Sequence, residues 1–407
     1  MKQTNSVIQN SAVQKTGVQE FAFKVLDAFK IEIPSWGFAN TGTRFGKFVQ
    51  AAAASTLEEK FADAAQVLHL TGATPTLALH VLWDLPKGIG DVAEVKALET
   101  RFGVRAGSIN PNLFQDQEYK FGSLCNPSAE VRQQAVHHVL DSIQIAKALD
   151  CRDLSLWLPD GSNYPGTQSM RKRIAWLEEA LRTTHDHLAP NQRLLIEYKP
   201  FEPAFYHTDI ADWGMSSHLA RTAGPQARVL VDTGHHYSSQ NIEQIVAWLL
   251  HTGLLGGFHF NDRRYADDDL TLGSIDPYQI FRIFHEIHSG ASDGLGAGIA
   301  FMVDQSHNLK GKIEATVQTV VTAQELWLKA ALVDRERLAG YQQSCDLMAA
   351  EELYRGMFWE DVRPLTAAWR IARGLPADPL AALRESGYVE RIGRERGGSR
   401  STVSSYA

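Results

Sequence analysis

The stretch RVLVDTGHH, residues 228–236, runs from three aliphatic residues straight into Asp232 and, three positions on, His235. An unbroken aliphatic run of this length reads as a strand buried on both faces, the state of strands in parallel sheets. The same pattern recurs at four other places. RLLIEYK (193–199) leads to Glu197, GFHF (257–260) holds His259, AFMVD (300–304) ends on Asp304, and YADDDL (265–270) brings Asp267 and Asp269 soon after the third of these runs. Acids and imidazoles set repeatedly at the far end of apolar strands are how a closed barrel gathers reactive groups from distant stretches of chain.

Outward from these runs, eight strand candidates begin near residues 31, 76, 104, 153, 193, 228, 257 and 300. Segments with apolar residues at helical spacing separate them: 57–70, 92–102, 131–149, 174–185, 241–253 and 277–288. Start and stop signals agree. Asn126 precedes Pro127, Asp276 precedes Pro277, Asn241 precedes a periodic run, and Gly253 and Gly290 follow theirs. The class is therefore α/β, and eight repeats predict closure into a (β/α)8 barrel over residues 31–330. An open doubly wound sheet is disfavoured, because no GxGxxG follows the first strand and the informative residues are spread over most strand ends. Residues 1–30 read as an N-terminal extension containing the helical segment VQEFAFKVLDAF. Residues 331–395 read as a C-terminal helical extension of three helices (332–358, 365–374 and 378–392), and 396–407 as a disordered tail. The glycine-rich stretch SGASDGLGAG, 289–298, reads as a rim to the site or as a plain linker.

Composition narrows the function classes. The 407 residues are 44% apolar and 21% charged, ordinary globular values. A net charge of −7 offers no broad positive field for phosphodiester backbones, so nucleic acid is not expected as a partner. Cys125, Cys151 and Cys345 are far apart and form no CxxC, which points to reduced thiols and a cytoplasmic location. The polar opening MKQTNSVIQNSAVQ has no apolar signal region, and no apolar stretch is long enough for a membrane span.

Each proposed ligand has a plain alternative. Asp232 would serve as a helix cap, His235 or His236 as a satisfied histidine, and the Asp267–Asp269 run as a solvated acidic loop. Pleating puts His259 on the face opposite Phe258 and Phe260, and a locally extended loop would aim Asp267 and Asp269 the same way. Glu197 and Asp304 are embedded in apolar sequence, where a charge is costly to bury unless paired or bound to metal. Taken together, Glu197, Asp232, His259 and Asp304 make one oxygen-rich site, and His235, Asp267 and Asp269 a second that Glu197 could bridge. This ligand set suits Mn²⁺, Mg²⁺ or Co²⁺ better than structural zinc or copper. Two such ions can hold neighbouring oxygens of a polyol, the equipment for moving hydrogen between adjacent sugar carbons. Lys199 shares the strand face of Glu197, so it either hydrogen-bonds a sugar carbonyl oxygen or pairs with a nearby carboxylate. Trp36, Phe38, His80, Trp83, Phe114 and Trp157 mark other strand ends. Any one of them alone reads as core, yet His80 and Trp157 sit where a sugar needs a partner and a wall.

The strings EYKPFEP from Glu197, VDTGHH from Val231, GFHFND with YADDDL, and FMVDQSHN from Phe301 together resemble the bacterial L-rhamnose isomerases of the rhizobial and pseudomonad-like type. These are xylose isomerase-like TIM barrels, and the likeness spans about residue 20 to residue 395. It implies interconversion of L-rhamnose and L-rhamnulose with two divalent ions per subunit, Mn²⁺ foremost. It further implies Glu197, Asp232, His259 and Asp304 as structural metal ligands, and Glu197, His235, Asp267 and Asp269 as catalytic ones. Lys199, His235 and Asp304 would act in catalysis, with His80, Trp157 and Lys199 contacting the sugar. The C-terminal helices resemble those that bury subunit contacts in homotetramers. The rival readings are an isomerase or 3-epimerase of another sugar on the same barrel, a nuclease of the same fold, and a sugar-binding barrel without turnover. YADDDL argues against an epimerase, and the charge of −7 against a nuclease.

Overall fold

The computed structural model describes residues 12–40, 49–202, 206–265, 267–306 and 309–397. Among them ten strands form: β1 (Ile33–Pro34), β2 (Thr76–His80), β3 (Arg105–Asn110), β4 (Asp153–Leu156), β5 (Arg193–Glu197), β6 (Phe201–Glu202), β7 (Tyr206–His207), β8 (Ala227–Asp232), β9 (Leu255–Phe260) and β10 (Ala300–Val303). Eight make one sheet in the order β1-β2-β3-β4-β5-β8-β9-β10, with parallel pairing throughout. The ring closes at Glu32, whose N–H donates to Phe301 O at 2.8 Å and whose carbonyl accepts from Val303 N at 2.9 Å. The fold is a (β/α)8 TIM barrel with additional C-terminal helices, as the eight repeats predict. β1 is short because Pro34 has no N–H to give the ladder and Ser35–Phe38 turn into a 3₁₀ helix. The antiparallel hairpin β6–β7 was not foreseen.

Pleating explains how the site is built. Leu195, Leu230 and Met302 form a small buried cluster inside the ring. Two residues further along the same strands or just past them stand Glu197, Asp232 and Asp304, on the same face one layer higher. On β9 the alternation places Phe258 and Phe260 outward, both fully buried among Phe284 and Phe301 of the surrounding layer, while His259 turns inward. Gly257 occupies the layer below His259, where a Cβ would lie 2.9 Å from Ala300 O.

The helices follow their caps with some departures. Thr56 and Glu59 form a capping box at Leu57–Thr71, and Asp276 accepts from Gln279 N ahead of Pro277. Helix Ala129–Ala148 is capped by Ser128, because Asn126 spends its side chain on Ser128 N and on the carbonyls of Glu118 and Gly122. Gly290 does not end its helix, which continues to Ser292; the glycine instead lets Leu250 approach. Helices Trp213–Ala223 and Lys312–Ala331 were not read from the sequence. The second buries Thr316, Thr319 and Gln324 beside its apolar residues, which blurs the polar-apolar pattern. The region read as three C-terminal helices holds five: Arg335–Gln343, Leu347–Trp359, Arg363–Ala372, Pro379–Glu385 and Tyr388–Gly397. The first break falls where Cys345 takes φ +57° and Asp346 caps the next helix, the second where Gly387 takes φ +60°. Arg396 and Gly397 thus belong to a helix, and the remainder of the proposed tail lies outside the described residues. Helix Ala12–Ala28 packs Ala22 and Leu26 against Leu328, Val362 and Trp369, joining the two ends of the chain.

The glycine-rich stretch 289–298 is not a rim to the site. It begins in a helix end and leads into the start of β10, with Gly298 beside Arg152 at the start of β4, so it lies at the opposite end of the barrel.

Two histidines of helix Pro277–Ser292 bear on stability. Burial, aided by Arg335, pushes His285 and His288 down to about 4. Their folded values lie below the unfolded value of about 6.5, so the unfolded chain binds more protons across that window. Stability is therefore expected to fall as pH drops from 6.5 toward 4. Urea midpoints at pH 7 and pH 5 should differ less in His288→Phe than in wild type.

Candidate functional site

At the C-terminal mouth of the ring, Glu197 closes β5, Asp232 closes β8, His259 lies on β9 and Asp304 follows β10. One ligand atom from each lies within 4.8 Å of the others. His259 Nδ1 stands 3.2 Å from Glu197 Oε2 and 3.6 Å from Asp304 Oδ2. Beside this group, His235 brings Nδ1 to 3.2 Å from Glu197 Oε1 and Nε2 to 3.0 Å from Asp267 Oδ1. Glu197 thus sits between the two sets, touching each with a different oxygen.

The loops hold these groups in place. Asp232 accepts from Gly234 N at 2.6 Å and from Asn261 Nδ2 at 3.0 Å. Glycine at 234 leaves room for Asn261, since a Cβ there would lie 2.4 Å from Asn261 Oδ1 and displace it. Trp36 Nε1 donates to Asp304 Oδ1 at 2.8 Å. Of the adjacent pair His235 and His236, only the first faces the cavity. His236 Nε2 shares a hydrogen bond of 2.6 Å with the Tyr198 hydroxyl, and burial pushes the imidazole down to about 3, keeping it neutral. The acidic loop is not extended: Asp267 and Asp269 take φ of +55° and +48°, the sparsely populated left-handed region. Both nonetheless line the cavity. Asp268 closes the loop from within by accepting from Arg264 N and Tyr265 N.

A cavity of about 250 Å³ opens between this acidic wall and an aromatic one made of Trp36, His80, Trp83, Phe114 and Trp157. His80 stacks on Trp83 with centroids 4.0 Å apart, and Phe114 meets Trp157 at 4.9 Å. Phe38 is core and not part of this wall, as its zero exposure shows. Burial holds His80 down at about 4, so its ring is neutral. Lys199 Nζ, buried, donates to Asp267 Oδ2 at 2.6 Å and Glu202 Oε2 at 2.8 Å and lies 5.2 Å over the Trp157 ring. The ion pair is the state of this lysine in the structure, and Glu202, on the unforeseen hairpin, was missed as its partner. Asn261 was also missed; its place in GFHFND, just after a strand, was the available signal.

The electrostatics test whether these residues fit a cation. Burial raises the Asp232 carboxyl, and despite His235 the neighbouring Glu197 and Asp304 help carry it to about 7. Asp269 and Asp304 are likewise held up by desolvation, with nearby carboxylates adding to it. Burial would also raise Glu197 and lower His259, but their mutual attraction wins, leaving Glu197 at about 2 and His259 at about 9. Glu197 Oε1 and His259 Nδ1 are buried without a well-formed hydrogen bond. A concentration of negative charge that the protein neutralises only by shifting protons, with buried donor atoms left over, fits divalent cations.

Residues 74–293 match the family profile described as xylose isomerase-like TIM barrel. A "probable sugar isomerase" of Mesorhizobium japonicum is 39% identical over 377 residues, covering 91% of this chain and 87% of that protein. One of Rhizobium meliloti is 38% identical, covering 91% and 86%. The xylose isomerase of Thermus thermophilus is 27% identical over 190 residues, 44% of this chain and 48% of that one. Among solved structures, an L-ribulose 3-epimerase aligns with a TM-score of 0.54 at 14% identity over 76% of this chain and 98% of its own. The D-allulose 3-epimerase of Methylomonas sp. gives 0.53 at 15% over 72% and 95%. At such identities the solved structures speak to the fold.

Proposed function

Because this chain belongs to the xylose isomerase-like TIM barrel family of sugar isomerases and epimerases, we propose that it is a metal-dependent aldose–ketose isomerase interconverting L-rhamnose and L-rhamnulose. The observation that carries the reading is the convergence of acids and imidazoles from four strand ends and one loop on a cavity whose other wall is aromatic. Glu197, Asp232, His259 and Asp304 would hold one divalent ion, and Glu197, His235, Asp267 and Asp269 a second, with Mn²⁺ foremost and Co²⁺ or Mg²⁺ as alternatives. When bound, such ions polarise adjacent sugar oxygens and acidify water near neutral pH.

The chain's own residues would do the rest. Trp157 and His80, with the other rings, take the apolar face of the sugar and keep bulk water out. Lys199, aimed by Glu202 and Asp267, donates to the sugar oxygen on which negative charge develops. Asp304, tethered by Trp36, is a carboxylate that can exchange a proton with the sugar hydroxyls as hydrogen passes from C2 to C1. Assembly as a cytoplasmic homotetramer is part of the proposal and is supported by the resemblance; light scattering tests the assembly.

Ketose formation from L-rhamnose, abolished by EDTA and restored by Mn²⁺, is the expected result. Full activity on another aldose with none on L-rhamnose would refute the substrate and keep the chemistry. A deuterium at C2 retained fully on C1 would exclude an enediol route with solvent exchange. His235→Ala is expected to keep one tightly bound ion per subunit by metal analysis, yet to lose turnover by about 10²-fold or more. Near-normal turnover in that variant would sink the two-ion assignment.

A further inference from the structure

Asp84 takes no part in the chemistry proposed above, yet it lies directly behind the aromatic wall and its side chain is fully buried. It accepts three hydrogen bonds: from Ser35 Oγ at 2.5 Å, from the His80 backbone N–H at 2.7 Å and from Lys60 Nζ at 2.5 Å. Its own N–H donates to His80 O at 2.9 Å, closing a turn in which Leu82 is forced to φ +78°. A branched side chain in the left-handed region is strained and persists only where its surroundings over-determine it.

The partners of this one carboxylate all lead to the cavity. Ser35 precedes Trp36, whose indole meets the His80 ring at 5.8 Å and holds Asp304. His80 is itself a partner, and Trp83, stacked on His80 at 4.0 Å, precedes Asp84. Lys60, from helix Leu57–Thr71, supplies the counter-charge that allows a carboxylate to be buried here.

We propose that Asp84 is a positioning residue that sets Trp36, His80 and Trp83 as one rigid wall against the sugar. The proposal rests on the assignment of this cavity to a sugar, and its test separates the two. Lys60→Met alone removes the counter-charge but leaves the bonds to Ser35 and His80, so it should lower stability and leave KM unchanged. Asp84→Leu/Lys60→Met removes the ion pair as a unit in favour of apolar side chains, which restores much of the stability. Leucine offers no acceptor to the Ser35 hydroxyl or the His80 N–H, both of which donate to the same Asp84 oxygen, Oδ2, so the wall loosens, and KM is expected to rise by about tenfold or more with kcat changed far less. The near-ultraviolet circular dichroism of the tryptophans should change in the double variant without any sugar present. Ser35→Ala, which releases only the Trp36 arm, should shift KM and the spectrum in the same direction by a smaller amount.

A double variant with wild-type KM and a wild-type tryptophan spectrum would overturn the proposal, as would an equal rise in KM in Lys60→Met alone. If wild type turned over no aldose, the sugar assignment would fail while the spectra of the resting proteins still decided the role of Asp84.

Discussion

Glu197→Gln is expected to cut turnover by about 10³-fold and to lower metal content in the same preparation. A Lewis-acid ion supplies several kcal/mol of transition-state stabilisation, and about 4 kcal/mol corresponds to a thousandfold in rate. Glu197 is the residue whose loss should matter most, because its two oxygens face different imidazoles, Oε1 toward His235 and Oε2 toward His259. The amide matches the carboxylate in shape but carries no charge, so any collapse of activity reports ligation and not packing. Metal analysis by mass spectrometry, with turnover assayed across added Mn²⁺, checks it. A variant with normal metal content and turnover would remove Glu197 from both proposed sites.

Arg173→Met should cost about 3–5 kcal/mol of stability, the range for removing one partner of a buried ion pair. The Arg173 side chain has no exposure and binds Asp209 through Nε at 3.0 Å and Nη2 at 2.6 Å. Its Nη1 donates to Phe121 O at 2.9 Å and also to Gln168. Asp209 N in turn donates to Asp160 O, and Asp160 accepts from Ser123 N. This network ties the start of helix Met170–His185 to the segments after β3 and β7, so its loss leaves several buried polar groups without partners. Urea unfolding monitors the change. If Arg173→Met/Asp209→Leu regained most of the loss, an uncompensated aspartate would be identified as the cause.

The barrel was legible because β5, β8, β9 and β10 are short, largely apolar and separated by periodic helices, and their pleat alone places Glu197, Asp232, His259 and Asp304 on the inner face. Residues carried by loops were harder to read. Strand alternation aims Asp267 and Asp269 together only if the loop is extended, whereas the structure turns both toward the cavity through two left-handed residues, a geometry that apolar periodicity does not encode. Glu202 was hidden for a related reason: a hairpin of two-residue strands leaves no periodic trace. Helix Lys312–Ala331 escaped because threonine and glutamine occupy buried positions, Gln324 spending its amide on Thr71 O and Arg370. The break at Cys345 depends on a backbone sign that side-chain identity does not report.

The seam at Glu32 ties the first strand to the last, so a growing polypeptide on the ribosome holds β1 without its second neighbour until residue 303 has emerged. Glu197, Asp232 and His259 are synthesised earlier, but the quartet is incomplete until Asp304 follows. A nascent chain released before that point would hold three of these four side chains and an open edge strand, and the quartet and the sealed ring would be completed by the same few residues.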